Sequence, residues 1–314
     1  YVVVPLFAPA AMTRVSDYPV PGVATDATEF LALDEYAEIG LRITRAGDAT
    51  FFRATDGTPL VTTRPGNLPA GRVTAFGAGD PAGGVLAFGL DDGRALVFRH
   101  QYAVSFPDDR RSSAPSVGYP LGEEPIVIDE AGGALRAIDV QVRDEQAVVA
   151  ALLASGQVAV VGLTRQENML DGSVTTERRA GVIPANDVPV ERLALSVDRR
   201  SLYVVDAGGK AALYDVVNPQ APRLLDARRL VADGRHLTAF EFGAGGISVL
   251  VGDDDGTVNQ WFPVRDEANN YRLERIRDFA GGSGSITASA QEHGRKGLIA
   301  VDGGGQAVSH HMTA

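Results

Sequence analysis

The sequence contains no cysteine, one tryptophan and only two lysines among its 29 basic residues. Without cysteine the chain can form neither a disulfide nor a thiolate zinc site, and it has no thiol nucleophile. Basic residues are outnumbered by 40 acidic ones, which gives a formal net charge of -11. Because nucleic acids and anionic membranes select basic surfaces, neither is expected to be the main partner.

The composition favours a globular, turn-rich chain. Hydrophobic residues make up 45% of the 314 residues, which is enough to build a core. Glycine and proline are frequent, at 36 and 17 residues, and they favour many turns over long helices.

Five segments of the chain align without gaps around a glycine. Each has a short apolar run, a tight turn with glycine, a polar residue and a second apolar run, which is the pattern of a β-hairpin. The aligned glycines are Gly93, Gly156, Gly209, Gly256 and Gly305, and a weaker copy surrounds Gly47. Glycine is expected there because such turns require a positive φ.

Two further strands are predicted around each hairpin. An alternating segment begins 18 to 21 residues before each of the five glycines, for example at Val73, Leu135 and Leu237. Outer strands are predicted after four hairpins, in segments that begin at Tyr102, Ser173, Pro222 and Tyr271. Three of the four are rich in charged residues, as exposed edge strands need to be.

The repeating unit of four antiparallel strands, at intervals of 46 to 63 residues, predicts an all-β fold, a β-propeller. Six blades are expected, and a seventh is possible in the 63-residue interval between Gly93 and Gly156. The last copy has only three strands, so we expect a strand near Thr13 to complete it by pairing the two ends of the chain.

One local pattern suggests a helix in place of a strand, and another suggests a particular class of blade. The segment from Asp144 to Gly156 also has the composition of a helix, but its position in the repeat favours a strand. Trp261 ends the segment GDDDGTVNQW, which is similar to the third strand of a WD-repeat blade.

The sequence offers no motif for catalysis, cofactor binding or metal binding, so no residue is predicted for these roles and no cofactor is expected. It lacks a Walker A loop, a zincin motif and a complete nucleophile elbow. His310 and His311 would point to opposite faces of a strand, so the two side chains are poorly placed to bind one metal ion. The run Asp253–Asp255 lacks the ligand spacing of a calcium loop and is interpreted as a hairpin turn.

Paired arginines are the remaining candidates for a functional surface. Arg110, Arg111, Arg228 and Arg229 are placed in loops or outer strands, where they could contact an acidic partner. The alternative is an ordinary solvated surface, and the preceding Asp108 and Asp109 already balance the first pair.

The N-terminal segment is an apolar stretch that is too short to span a membrane. Residues 1–12 are almost wholly apolar, but about 20 residues are needed to cross a bilayer. They are expected to be the outer end of a transmembrane helix, or alternatively an apolar strand, and residues 13–314 are expected to form one propeller domain.

The segment Val4-Pro5-Leu6-Phe7, the degenerate blades and the segment Ser309–Ala314 together resemble the large insert of the permease subunit of bacterial phosphate ABC transporters. The resemblance implies a WD-repeat-like, non-catalytic domain on the periplasmic face of the inner membrane, tethered to that membrane. It would act in phosphate uptake by docking or regulation, with the phosphate-binding protein or the transporter's own core as partner. No phosphate-translocating residue is implied in this chain.

Two other functions stay open at this point. One is a six-bladed hydrolase that uses a metal in its central tunnel, as lactonase propellers do. The other is a stand-alone WD-repeat-like scaffold with no link to transport.

Overall fold

The computed structural model describes residues 18–167, 174–268, 270–291 and 297–311. These residues form six antiparallel sheets in chain order, which we call blades 1 to 6, and the only helical elements among them are three short 3-10 turns. The predicted all-β propeller fold with six blades is confirmed, and the interval between Gly93 and Gly156 contains no seventh blade.

The strands follow one another along the chain, and within each blade the neighbours in sequence are also neighbours in the sheet. Blade 1 contains β1 (Thr28–Leu33), β2 (Ile39–Thr44), β3 (Ala49–Arg53) and β4 (Pro59–Thr63). Blade 2 contains β5 (Val73–Ala78), β6 (Val85–Leu90), β7 (Arg94–Ser105) and β8 (Ser112–Gly118), with the short β9 (Ile126–Val127) paired to β7. Blade 3 contains β10 (Ala137–Arg143), β11 (Gln146–Leu152), β12 (Val158–Glu167) and β13 (Val174–Ile183).

The last three blades repeat the pattern. Blade 4 contains β14 (Val190–Leu195), β15 (Ser201–Asp206), β16 (Lys210–Asp215) and β17 (Arg223–Arg229). Blade 5 contains β18 (Leu237–Phe242), β19 (Val249–Asp253), β20 (Thr257–Arg265) and β21 (Tyr271–Ala280). Blade 6 has three described strands, β22 (Ile286–Gln291), β23 (Gly297–Asp302) and β24 (Ala307–His311). The strand expected near Thr13 and the apolar segment 1–12 lie outside the described residues.

Two predictions about individual strands have clear outcomes. The segment Asp144–Gly156 holds β11 and not a helix, because its apolar residues pair with β10 and β12 on both sides. The outer strand predicted at Tyr102 is wrong, since Tyr102–Ser105 continue β7 and the fourth strand is β8. The longer β7–β8 hairpin, the added β9 and the loop that follows it account for the wide spacing between Gly93 and Gly156.

The chain divides into two compact units, of which the first comprises the described residues 18–70 and 102–116. In this unit the side chains of β2 are all buried, including Arg42, which is 2% exposed. Its Nε donates to Thr28 Oγ1 at 2.8 Å, and its guanidinium also donates to the carbonyl oxygen of Asp26. A buried guanidinium is tolerated here because these acceptors replace its water.

The end of the β7–β8 hairpin also belongs to the first unit. The rings of Tyr102 and Phe51 meet edge to face at 6.1 Å, and the Arg111 guanidinium lies 3.8 Å above the centre of the Tyr36 ring. The rings of Phe51 and Tyr36 in the first unit therefore hold Tyr102 and Arg111 of the hairpin against blade 1.

The second unit comprises residues 71–101 and the described residues from 117 to 311. Within it, buried apolar side chains join each blade to the next. Four buried clusters each contain residues of two neighbouring blades: Val97 and Val149 for blades 2 and 3, Val160 and Leu202 for blades 3 and 4, Tyr203 and Val251 for blades 4 and 5, and Val258 and Leu298 for blades 5 and 6. The alternating apolar residues of the strands supply this core.

The turn at the end of the β7–β8 hairpin generates a prediction. Asp108 and Asp109 both have positive φ, 51° and 57°, and Arg110 N–H donates to Pro107 O at 3.0 Å. Glycine adopts this backbone more readily than aspartate. We expect Asp109→Gly to raise the free energy of unfolding by about 0.5–1 kcal/mol, measured by urea denaturation, because the relief of left-handed backbone strain exceeds the entropic cost of glycine. Asp187→Gly, at an exposed loop position whose φ is not positive, should give no gain. A gain of equal size in both variants would contradict the explanation.

Candidate functional site

One end of the blades of the second unit carries the glycine turns between the second and third strands and the connections that lead to the next blade. We call this end the turn face. In blade 4 the two parts are joined directly, because Leu230 N–H donates to Gly209 O at 2.9 Å. All six marker glycines have positive φ, between 77° and 92°, as the sequence predicted: Gly47, Gly93, Gly156, Gly209, Gly256 and Gly305.

Three of the turns are capped by a buried aspartate three residues before the glycine. Asp206 Oδ1 accepts from the N–H groups of Gly208 and Lys210, at 2.9 and 3.0 Å. Asp253 and Asp302 make the same pair of bonds in blades 5 and 6. A side chain that caps two backbone amides holds the turn in one conformation.

The run Asp253–Asp255 is accounted for by turn formation, as the sequence analysis expected. Asp253 caps the turn, Asp254 Oδ2 lies 2.9 Å from His236 Nδ1, and Asp255 Oδ2 accepts from Arg235 at 2.5 Å. The hydrogen bond from the His236 side chain lowers the pKa of Asp254. Each carboxylate has its own protein donor, so the three do not converge on one point.

The side chain of the single tryptophan holds the connection between blades 4 and 5 in place. Trp261, which is 9% exposed, donates its indole N–H to Leu230 O at 3.1 Å. At the surface, Arg229 donates to Arg235 O at 3.3 Å and lies 3.7 Å from the Asp233 carboxylate. The result is a firmly held surface of exposed charges.

The four arginines predicted as a partner surface fall in different parts of the molecule. Arg228 and Arg229 end β17 in the second unit, where Arg228 Nε lies 3.0 Å from Asp226 Oδ2. Arg110 and Arg111 belong to the first unit. Arg110 is exposed, whereas Arg111 pairs with Glu38 and covers Tyr36. Local ion pairs thus engage three of the four, and their role toward a partner stays a prediction.

A cleft of about 150 Å³ opens on the turn face between blades 3 and 4. It is lined by residues from the start of blade 3, the turn of Gly156 and the segment leading into β14: Arg136, Leu152, Gly156, Asn186, Val188, Pro189, Val190 and Glu191. Sequence analysis missed this cleft, because its walls come from segments that are apart in the chain.

The sequence analysis also missed a buried carboxylate on the first strand of blade 3. Asp139, 7% exposed, accepts from Leu195 N–H at 2.6 Å and from Val140 N–H at 2.7 Å. Gln141 on the same strand accepts from Asp80 N–H at 3.0 Å and donates to Leu195 O at 3.1 Å. The two side chains connect blade 3 to the polar backbone of blades 2 and 4. Burial raises the pKa of Asp139 to about 7, although its two N–H donors act to lower it.

The structure gives the hydrolase alternative no support in the described residues. Across residues 18–167, 174–268, 270–291 and 297–311, no three His, Asp or Glu side chains are grouped so that they could hold a metal ion. His310 Nε2 lies 2.7 Å from Ala280 O, a bond that joins blade 6 to blade 5. The part of the chain that the structure describes also contains no apolar helix of membrane-spanning length.

Comparisons with known proteins identify the fold and no closer relationship. No protein-family model matches the chain, and no curated protein matches it. Among solved structures, a chain of the mitotic checkpoint complex is 8% identical, with a TM-score of 0.54 over 92% of this chain and 76% of that one. The C-terminal WD40 domain of Sif2 is 10% identical, with a TM-score of 0.50 over 95% of this chain and 84% of that one. The chain has a WD40-like β-propeller fold.

The capping aspartates give a prediction about stability. Asp253→Ala leaves the N–H groups of Asp255 and Thr257 without their acceptor and should lower the free energy of unfolding by about 1–3 kcal/mol. Asp255→Ala removes only an exposed ion pair and should cost less than about 1 kcal/mol. Thermal denaturation of both variants, with and without calcium, measures this. Equal losses, or stabilisation of the native protein by calcium, would contradict the turn interpretation.

Asp139 gives a prediction about pH. Its folded pKa is raised above the ordinary 3.8, so the folded protein keeps a proton that the unfolded chain releases. The contribution of Asp139 to stability is therefore complete below its unfolded pKa of 3.8 and is lost as pH rises toward 7, by at most about 1.4 kcal/mol per pH unit. Asp139→Asn should make the decline smaller in urea denaturation curves measured from pH 4 to pH 8, and the remainder is expected from Glu241, whose pKa is also raised by burial.

Gln141→Leu is the matched control, because it removes contacts between the same blades without removing a titrating group. It should lower stability by a similar amount at every pH. A decline that persists unchanged in Asp139→Asn would show that Asp139 is not its source.

Proposed function

We propose that this chain is a non-catalytic propeller domain whose turn face docks a protein partner. The observation that carries the proposal is the firmness of that face: capped turns and the Trp261 bond hold exposed charges in fixed positions. Preformed surfaces bind with a small entropic cost, because few side chains need to be ordered. Loops on a rigid scaffold are also where binding residues are most often found.

The partner is proposed from the sequence resemblance. Val4–Phe7 and Ser309–Ala314 are similar to the segments that flank the insert of phosphate ABC transporter permeases. In that setting the domain faces the periplasm, is tethered to the inner membrane and contacts the phosphate-binding protein or the permease core. Tethering raises the effective concentration of the partner, so that weak contacts are sufficient.

A stand-alone scaffold is the second candidate, and the WD40-like fold supports it. The structural relatives include a chain from the mitotic checkpoint complex, a multi-protein assembly by its name. The two candidates differ in their flanking sequence. The transporter setting requires apolar stretches of about 20 residues near the domain in the full gene product, and sequencing the gene about 25 codons beyond each end distinguishes them.

Docking is tested by titrating the purified domain with the phosphate-binding protein of the same organism, with and without phosphate, in a calorimeter. We expect association, and at least a tenfold weaker affinity for the double variant Arg228→Glu, Arg229→Glu. Arg223→Glu, at the other end of β17, should bind as the native domain does. Absence of binding in both conditions would end the proposal for this partner, and equal losses in both variants would remove the arginines from the interface.

A further inference from the structure

The cleft between blades 3 and 4 has an apolar base and a polar rim. Leu152 and Val190 are buried at 6% and 9% exposure, while Val188 is 41% exposed. Arg136, Asn186 and Glu191 supply the polar groups, and all three residues are exposed. A small concave site with an apolar base and a few polar groups is the usual form of a site that takes one side chain or a small molecule.

The backbone around the cleft is held by hydrogen bonds. Arg136 N–H donates to Leu152 O at 2.8 Å, which extends the β10–β11 pairing to the rim. Ala207 N–H donates to Pro189 O at 2.9 Å on the other wall. Both walls are therefore set before any ligand arrives.

Arg136 differs in its pairing from three other arginines of the turn face. Arg72, Arg94 and Arg235 each lie within 4 Å of an aspartate carboxylate, at 2.5 to 2.7 Å. Among the described residues, no carboxylate lies within 4 Å of the Arg136 guanidinium, in a protein of net charge -11. A guanidinium binds a carboxylate through two parallel hydrogen bonds, so this rim is complementary to an anion.

We propose that the cleft binds the C-terminal residue of a partner chain when that residue is aliphatic. Its side chain packs on Leu152, Val188 and Val190, its terminal carboxylate pairs with Arg136 and the Asn186 amide, and its backbone N–H donates to Glu191. This inference deepens the proposed docking function and rests on it.

The size of the cleft selects a chain terminus over an internal acidic residue. The cleft holds about 150 Å³, so a carboxylate at Arg136 must be close to the side chain that fills the base. Within a polypeptide, only the C-terminal residue carries an aliphatic side chain and a carboxylate on the same carbon. The N–H of that residue is then the donor that the third polar group, Glu191, can accept.

The test uses N-acetyl-L-leucine as the probe, followed by NMR of the backbone amides of the intact chain. We expect saturable shifts at Gly156, Val188 and Val190, with an affinity in the millimolar range. N-acetyl-L-leucinamide lacks the carboxylate and N-acetylglycine lacks the side chain, and each should bind at least tenfold more weakly. Equal binding of the acid and the amide, or no shifts with the acid, would overturn the proposal.

Matched arginine variants locate the carboxylate. Arg136→Gln should lower the affinity for N-acetyl-L-leucine at least tenfold, whereas Arg200→Gln should leave that affinity unchanged. Arg200 is also exposed but lies in the turn between β14 and β15, at the opposite end of blade 4. An unaffected Arg136→Gln variant would refute the assignment. The probe titration does not involve the phosphate-binding protein, so this site and the proposed partner can fail separately.

Discussion

The structure depends on the backbone of its tight turns. Each blade needs its second and third strands to reverse within a few residues, and the turn that does so requires a positive φ at one position. Glycine fills that position in all six blades. The turn also leaves backbone N–H groups that need acceptors, and in blades 4, 5 and 6 a buried aspartate supplies them. Leu90 and Leu153 occupy the equivalent position in blades 2 and 3. There the N–H of the residue after the glycine donates to Asp92 and to Ser155 instead, so a buried aspartate at that position is not required of every blade.

Buried polar side chains set the position of neighbouring blades relative to each other. Apolar side chains from neighbouring blades fill the space between sheets, but they do not fix the position of one blade along the next. Asp139 and Gln141 do so by bonding to backbone groups of both neighbours. Burial disfavours the charged form of a carboxyl group, and the pKa of Asp139 is raised for this reason.

Local features of this fold could be predicted from sequence, and features made by distant segments could not. The hairpins were predictable because glycine, aspartate and apolar residues recur at fixed spacing, and β11 was recognised as a strand from that spacing although its composition suits a helix. The extension of β7 past Tyr102 was not predictable, since rings from blade 1 stabilise it. The same holds for the site. The turn role of Asp253–Asp255 follows from local sequence, whereas the bonds of Asp139, the buried Arg42 and the cleft at Arg136 exist only after the strands have assembled.

The measurement that tests the central claim most directly is the stability of Gly305→Ala against Gly284→Ala. A Cβ at either position meets no atom within 4 Å, but φ is +79° at Gly305 and is not positive at Gly284. The two variants therefore differ in backbone conformation and not in packing. We expect Gly305→Ala to lower the free energy of unfolding by about 1–2 kcal/mol, and Gly284→Ala to leave it unchanged or slightly raised. Equal stability of the two variants would contradict the dependence of the blades on their glycine turns.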